Sequence, residues 1–408
     1  MDRKNTTAFF VSYLLSAFGY EFVFFVSILQ IFKATGNPLL AGLLTAFTVL
    51  PKLFSPFYGV ITDRFRKESV FRTTSVAVGL LILLMGFANS LPLRFCFWFF
   101  ISFGLAMIAN ARTVMMAELL PNRGYVNGNV GILLSLNVAK FLAPLLGGVL
   151  VSHLPARTLY FLAASFYLLA VLASRFLDLA DRVRADREPI DFMQQIRTAL
   201  RYVAGNSNLM ALRYLLWTKA LFLGSQVSLY VVYVKSYLGE SDFRYGLFLT
   251  VISVGSITGA IIASFLGLRL RSLKVIVAGL TFQYAALVGL GFIRSYPAAL
   301  ALMFASSACF YIAAIALHSV RDTSTEHSIR GTVYGTVSAI GAPLNVGSML
   351  VGSWLAGRYG VEKVYAVGGT LAMLSMFAIV FAGKFTIQHE TEPVDLQDGE
   401  VRPARGWT

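Results

Sequence analysis

Apolar residues along the chain fall into twelve runs, most of them long enough to cross a membrane as a helix. A transmembrane helix needs about 20 mostly apolar residues, because the hydrocarbon layer offers no partners for backbone polar groups. Short polar segments separate most of the runs, so neighbouring helices are expected to be antiparallel. The pattern predicts an all-α membrane protein with spans at 8–31, 39–62, 73–91, 95–117, 128–151, 158–176, 211–234, 244–266, 275–293, 298–317, 332–356 and 363–383.

The composition supports this interpretation and excludes a soluble protein. Hydrophobic residues make up 57% of the chain and charged residues 13%, whereas a soluble domain is about a quarter charged. The net charge of +14 does not indicate a nucleic-acid partner, because such a partner needs a hydrated basic surface that this composition cannot supply. Cys96 and Cys309 lie far apart in apolar runs, so we expect no disulfide framework, no metal site and no cofactor.

The distribution of basic residues predicts the orientation. With both termini in the cytoplasm, 22 of the 34 Lys and Arg residues lie in cytoplasmic segments, 8 lie in external loops or span edges, and 4 lie within spans. Cytoplasmic loops of membrane proteins carry an excess of Lys and Arg. We therefore expect a multi-pass protein of the cytoplasmic (inner) membrane, monomeric in the lipid bilayer, with both termini inside.

A long polar segment divides the spans six and six. We expect an N-terminal six-helix bundle at 1–176, a cytoplasmic linker at 177–210, a C-terminal six-helix bundle at 211–384 and a disordered tail at 385–408. Apolar residues at helical spacing predict an amphipathic helix on the membrane face at 190–206. This helix either tethers the two halves or regulates them.

The two halves resemble each other. Ala143-Pro144-Leu145 in the fifth span recurs as Ala342-Pro343-Leu344 in the eleventh span, at an offset of 199 residues. Such duplication predicts two pseudo-symmetric bundles, of which one rocks against the other around a site at the middle of the membrane.

A basic loop follows the second span, and its charges are Asp63, Arg64, Arg66 and Lys67. The loop resembles the signature G-x-x-x-D-R-x-G-R-K of the major facilitator superfamily, with Arg66 in place of the glycine. The resemblance implies a cytoplasmic gate, because such a cluster can pair across the halves and hold one state closed. The alternative is a positive loop that only fixes the orientation.

A second set of motifs resembles one branch of that superfamily. Its segments are Asn110-Ala111-Arg112, Ala117-Glu118-Leu119-Leu120-Pro121, Gly128-Asn129 and Ala143-Pro144-Leu145-Leu146-Gly147-Gly148. Macrolide-efflux permeases and the enterobactin exporter carry P-A-R…L-P-E-L-V-P…A-N…G-P-x-x-G-G at this spacing, and the resemblance covers residues 8 to 383. It implies the major facilitator fold and export, and we place Glu118 among the gating residues. The residues expected to permit helix bending are Pro51, Pro56, Pro144, Gly147, Gly148 and Pro343.

Five ionisable side chains are predicted deep within spans: Glu21, Lys52, Arg112, Lys140 and Lys219. A charge at the centre of a membrane helix costs at least ~2.5–3.5 kcal/mol, so such residues usually have a function. The five fall in spans 1, 2, 4, 5 and 7. In the resembled fold, helices 3, 6, 9 and 12 support the outside and the others line a central cavity, which implies that all five can face water or one another.

Glu21 is the only carboxylate predicted deep within a span. An isolated carboxyl group in such a place can take up and release a proton near neutral pH. We therefore predict that Glu21 couples transport to protons. The alternatives are a permanent ion pair with Lys140 or Lys219, and coupling to Na⁺.

The other buried charges are four cations, and this surplus suits an anionic substrate. We expect Lys52, Lys140, Lys219 and Arg112 to bind the substrate, although Arg112 lies nearer the cytoplasmic end and can instead belong to the gate. The alternative for the lysines is snorkelling towards the membrane surface. Polar residues that either bind substrate or satisfy neighbouring backbone groups are Tyr20, Asn137, Gln226, Tyr311 and Asn345.

These observations favour a secondary transporter that exports a small amphipathic organic molecule, anionic and siderophore-like, against inward proton flow. A macrolide or multidrug efflux permease is the alternative. A membrane enzyme is disfavoured because the spans carry no HExxH motif, nucleotide-binding loop or carboxylate pair. A channel is disfavoured because the sequence lacks filter-like motifs and is duplicated.

Overall fold

The computed structural model describes residues 3–54, 58, 61–62, 65–119, 123–177, 202, 207–266, 273–323, 325 and 330–381. No strand occurs in these ranges. They form thirteen α-helices: α1 (Arg3–Thr35), α2 (Pro38–Val49), α3 (Lys67–Met85), α4 (Leu91–Leu119), α5 (Arg123–Val151), α6 (Ala156–Ser174), α7 (Ser207–Leu223), α8 (Gln226–Val232), α9 (Asp242–Leu266), α10 (Leu273–Leu290), α11 (Tyr296–Thr323), α12 (Arg330–Tyr359) and α13 (Val361–Phe381).

These helices make twelve spans, which confirms the predicted fold class. The second span is α2 followed by a 3₁₀ turn at Leu50–Phe54. The seventh span consists of α7, α8 and a π-helical turn at Tyr233–Tyr237, with a break at Gly224 and Ser225. Nine helices in the described part of the chain are long and apolar enough to cross a membrane.

Several helices extend beyond their apolar runs. The third span was predicted from residue 73, but α3 begins at Lys67. Hydropathy detects only the apolar centre of a span, whereas the helix continues into the polar membrane surface. The amphipathic helix predicted at 190–206 lies outside the described residues apart from Tyr202, and the tail at 385–408 lies wholly outside them.

We call the membrane face at which α1 begins the proximal face, and the opposite one the distal face. On the distal face Gly36 and Asn37 connect α1 to α2. Gly36 has a φ of 60°, in the left-handed region that favours glycine. Asn37 Oδ1 accepts a hydrogen bond of 2.9 Å from the Leu39 amide, and Pro38 occupies the first turn, so α2 begins with a well-capped N-terminus.

The two halves pack in the same way. In the first half, α1 packs against α5 and α6, and α3 packs against α4 and α6. In the second half, α7 and α8 pack against α12 and α13, and α10 packs against α11 and α13. These are the same pairs of spans counted from the start of each half, which is the pseudo-symmetry that the duplication predicted.

The first contact between the halves joins α5 to α9. A Cβ atom on Gly148 would lie 3.2 Å from the Asp242 carbonyl oxygen, so glycine allows the two backbones to approach closely at the distal end. Towards the middle of the span, the Ser253 hydroxyl donates a hydrogen bond of 3.0 Å to the Lys140 carbonyl oxygen. This contact therefore extends from the distal face to mid-depth.

The second contact joins α2 to α12. A Cβ atom on Gly42 would lie 2.7 Å from the Met349 carbonyl oxygen. Deeper in the span, Val49 and Ala342 belong to one buried apolar cluster. Because both contacts reach from the distal face to mid-depth, the structure represents a state that is closed towards the distal face.

Candidate functional site

A cavity of about 480 Å³ lies halfway along the helices, where the two halves meet. The first half contributes α5, and the second half contributes helices α7 to α12. Six residues that the sequence predicted to contact substrate line this cavity: Asn137, Lys140, Lys219, Gln226, Tyr311 and Asn345. The structure thus brings together polar side chains that are up to 208 residues apart in the chain, as Asn137 and Asn345 are.

The charge of the cavity comes from two lysines. Lys140 and Lys219 are the only Lys, Arg, His, Asp or Glu side chains among its described lining residues. The Lys219 Nζ lies 3.7 Å from the centre of the Phe310 ring, in cation–π geometry. Neither lysine is in salt-bridge contact with a carboxylate of the described residues. The cavity is therefore positively charged.

Amide and hydroxyl groups complete the lining. Gln283 Oε1 and Asn345 Oδ1 are buried atoms that accept no hydrogen bond from the described residues. A buried polar group without a partner costs about 1–3 kcal/mol. Binding a polar substrate would remove this cost, so the two amides suit recognition of hydroxyl or amide groups.

Sequence reasoning missed part of the lining. Gln283 lies on α10, in the ninth span, so the expectation that this span only supports the outside of the fold is wrong. The serines of the lining were also missed, among them Ser253 and Ser256 on α9 and Ser306 and Ser307 on α11. The sequence does contain a signal for Ser253 and Ser256, because polar residues three apart on a mostly apolar helix lie on the same face.

Arg112 and Tyr20, two predicted substrate ligands, are not among the residues that line this cavity. Arg112 lies inside the first half, where Nη1 donates a hydrogen bond of 3.1 Å to Ser16 Oγ. Its guanidinium group also lies 4.5 Å from the centre of the Tyr13 ring. These contacts join α4 to α1. Tyr20 packs on Phe24 within α1, with ring centres 6.2 Å apart.

Glu21 lies in the middle of α1 and is half-buried. It is close enough to Lys140 for an electrostatic interaction, but no salt bridge joins the two residues. Lys219 contacts Phe310 instead. The ion pair considered as an alternative role for Glu21 is therefore not formed with either lysine in this state.

The predicted gate is only partly described. Asp63 and Arg64 lie outside the described residues, as do Pro56 and the side chains of Lys52 and Glu118. Arg66 is exposed just before α3, and Lys67 begins that helix.

The predicted bending residues are placed as follows. Pro51 lies in the 3₁₀ turn, while Pro144 and Pro343 lie inside α5 and α12. Gly147 packs against Phe25 of α1, and Gly148 takes part in the contact between the halves.

An ion-pair cluster lies on the distal face. Asp242, the first residue of α9, accepts contacts from two lysines: Lys33 Nζ lies 2.7 Å from Oδ2, and Lys235 Nζ lies 2.8 Å from Oδ1. Because Lys33 lies in the last turn of α1 and Asp242 begins α9, the cluster joins the two halves. Sequence reasoning overlooked Asp242, whose position at a helix start was the available signal.

Metal binding has no support in the described residues, where no three His, Cys, Asp or Glu side chains come together.

Two pseudo-symmetric six-helix bundles with a polar cavity between them are the arrangement of many secondary transporters. Residues 9–344 match the model of the Major Facilitator Superfamily, and the chain belongs to this superfamily. Its members are transporters rather than enzymes, so the chain is a multi-pass membrane transporter of small molecules.

Curated relatives align with most of the chain at low identity. A protein of Escherichia fergusonii named multidrug resistance protein MdtG is 21% identical over 366 residues, which are 86% of this chain and 86% of that protein. A protein of the same name from Salmonella arizonae is 23% identical over 386 residues, covering 90% of this chain and 92% of that protein. The chain is therefore similar to MdtG proteins over nearly their full length.

Solved structures share the fold at lower identity. The nucleoside transporter NupG has a TM-score of 0.78 and 11% identity, covering 93% of this chain and all of that one. A D-xylose–proton symporter has a TM-score of 0.71 and 14% identity, covering 92% of this chain and 96% of that one. These likenesses support the fold.

Proposed function

We propose that the protein is a secondary active transporter that exports a small amphipathic organic molecule, anionic and siderophore-like, by proton-coupled alternating access. The observation that carries this proposal is the mid-depth cavity, whose described lining contains two lysines and no carboxylate. An anionic group would supply the missing counter-charge. The large apolar share of the lining, for example Leu216 and Met303, suits the apolar part of an amphipathic molecule.

Each polar group receives a proposed role. Lys140 and Lys219 bind the anionic group, with Lys219 held in place by Phe310. The amides of Gln283 and Asn345, with the serines of α9 and α11, bind hydroxyl or amide groups. Asn137, Gln226 and Tyr311 lie in the same lining and also bind the substrate.

The proposed coupling residue is Glu21. It lies on α1, within electrostatic reach of Lys140 but without a salt bridge to it. In the proposed exchange, Glu21 takes up a proton from the outside and releases it into the cytoplasm, while the substrate moves in the opposite direction.

The orientation and direction belong to the same proposal. The positive-inside rule makes the proximal face cytoplasmic, with both termini inside. The halves are 1–176 and 211–384, the basic loop with Glu118 forms the cytoplasmic gate, and the protein acts as a monomer. Outward transport is supported by the names of the relatives, because resistance to a drug is gained by exporting it.

The second candidate is a macrolide or multidrug efflux permease, and the name of the MdtG relatives favours multidrug efflux. The two candidates differ in the charge of the preferred substrate. A carboxylate-bearing siderophore, a neutral or weakly basic macrolide and a lipophilic cation distinguish them.

Counterflow in proteoliposomes tests the proposed substrate class without any ion gradient. The vesicles are preloaded with one unlabelled compound, and the uptake of its labelled form from outside is followed. We expect faster exchange of carboxylate-bearing amphiphiles than of lipophilic cations, because only the former neutralise the two lysines. Exchange of macrolides or lipophilic cations with no exchange of carboxylates would support the second candidate instead.

A further inference from the structure

A separate apolar groove lies on the outer surface of the second half. It has a volume of about 670 Å³ and is bounded by α7, α12 and α13. On α12 its lining extends from Pro343 to Tyr359, which at 1.5 Å per residue is about 24 Å. One leaflet of a membrane is about 15 Å thick, half of the hydrocarbon layer. The groove therefore accommodates a whole acyl chain on the distal side.

The groove is open sideways, away from the central cavity. Its lining residues Val351, Val367 and Leu371 are 57%, 58% and 44% exposed, so they face the surroundings of the bundle. Gly347 deepens the groove, since a Cβ atom there would have no neighbour within 4 Å. The close packing of Gly224 against Asn345 separates the groove from the cavity. The groove therefore opens towards the lipid around the bundle and not towards the cavity.

The distal end of the groove is positively charged. Lys363 lines it, is exposed and is in no salt-bridge contact with the described residues. The carboxylate of the neighbouring Glu362 lies against Gly360 instead. Arg358 lies 5.8 Å from the centre of each of the Trp354 and Tyr359 rings. Aromatic and basic side chains of this kind mark the level of lipid headgroups.

We propose that this groove binds an anionic phospholipid of the distal leaflet. One acyl chain lies along α12 between Tyr359 and Pro343, and the phosphate group contacts Lys363. The charge of Lys363 favours an anionic headgroup over a zwitterionic one. Because α12 also contacts α2 through Gly42, the bound lipid stabilises α12 in the state that is closed towards the distal face.

Native mass spectrometry of the purified protein with phosphatidylglycerol or phosphatidylcholine tests this site. The wild-type protein is expected to retain one phosphatidylglycerol in preference to phosphatidylcholine. Lys363→Gln should weaken phosphatidylglycerol binding about fivefold and leave phosphatidylcholine binding unchanged. Gly347→Leu, which fills the groove, should remove both lipids from this site.

The matched control is Arg294→Gln, which removes an exposed cation from the distal face of the same half, outside the groove lining. It should leave lipid binding unchanged, and thermal unfolding should confirm that every variant is folded. Equal binding of the two lipids to the wild-type protein would overturn the proposal, as would unchanged phosphatidylglycerol binding in Lys363→Gln. Displacement of the lipid by a transported carboxylate compound would instead make the groove a substrate site.

Discussion

Replacement of Lys140 and Lys219 together by glutamine is expected to lower the transport rate of carboxylate-bearing substrates about a hundredfold. A hydrogen bond to a charged group contributes about 1.5–3 kcal/mol, and 1.4 kcal/mol corresponds to a factor of ten. Each lysine should therefore account for about tenfold. The measurement is the initial rate of uptake into proteoliposomes at subsaturating substrate.

Two controls separate charge from structural damage in this experiment. The double replacement by arginine keeps both charges and should retain most of the rate. Lys274→Gln removes an exposed lysine near the start of α10, away from the cavity, and should have no effect. If the glutamine variant transports carboxylates at the wild-type rate while losing lipophilic cations, the anion preference is wrong and the multidrug function is favoured.

Asp242→Asn is expected to shift the protein towards a state that is open on the distal face. The substitution leaves Lys33 and Lys235 near each other without their shared carboxylate. The side chain of Lys33 is 43% exposed and that of Asp242 is 11% exposed, so solvent weakens this contact between the halves. A loss of about 1–2 kcal/mol changes the equilibrium between the two states by a factor of roughly 5–30.

Cysteine labelling measures this shift. Ser306→Cys places a thiol in the cavity, in a background from which Cys96 and Cys309 have been removed. A membrane-impermeant maleimide applied to the distal face should label this thiol faster in Asp242→Asn than in the parent protein. Glu240→Gln is the control, because Glu240 pairs with Arg244 within the second half. Equal labelling of the parent and Asp242→Asn would show that the cluster does not hold the distal face closed.

The fold could be predicted because the membrane imposes a single requirement on every span. A helix must satisfy its own backbone polar groups in lipid, so apolar length alone reveals the spans. The break at Gly224 could not be found in this way. At the break, Gly224 packs against Asn345 of α12, a contact between residues far apart in the chain that hydropathy does not reveal.

The candidate site could be predicted only where a charge stood out. Lys140 and Lys219 were identified because a cation within an apolar run is rare. Arg112 met the same criterion, yet its hydrogen bond to Ser16 places it inside the first half. Gln283 carries no charge and was missed. A one-dimensional pattern shows that a residue is polar, whereas the packing of helices decides which cavity it faces.

The most direct test of the account is proton-driven uptake by inverted membrane vesicles. A carboxylate-bearing amphiphile is supplied outside the vesicles, and a proton gradient is imposed with the acidic side inside them. The wild type is then compared with Glu21→Gln. The wild type is expected to accumulate the compound when the gradient is imposed, whereas Glu21→Gln should not accumulate it but should still exchange substrate in counterflow. Equal accumulation in both proteins would contradict the proposed role of Glu21, and the absence of accumulation in the wild type would contradict proton-coupled export.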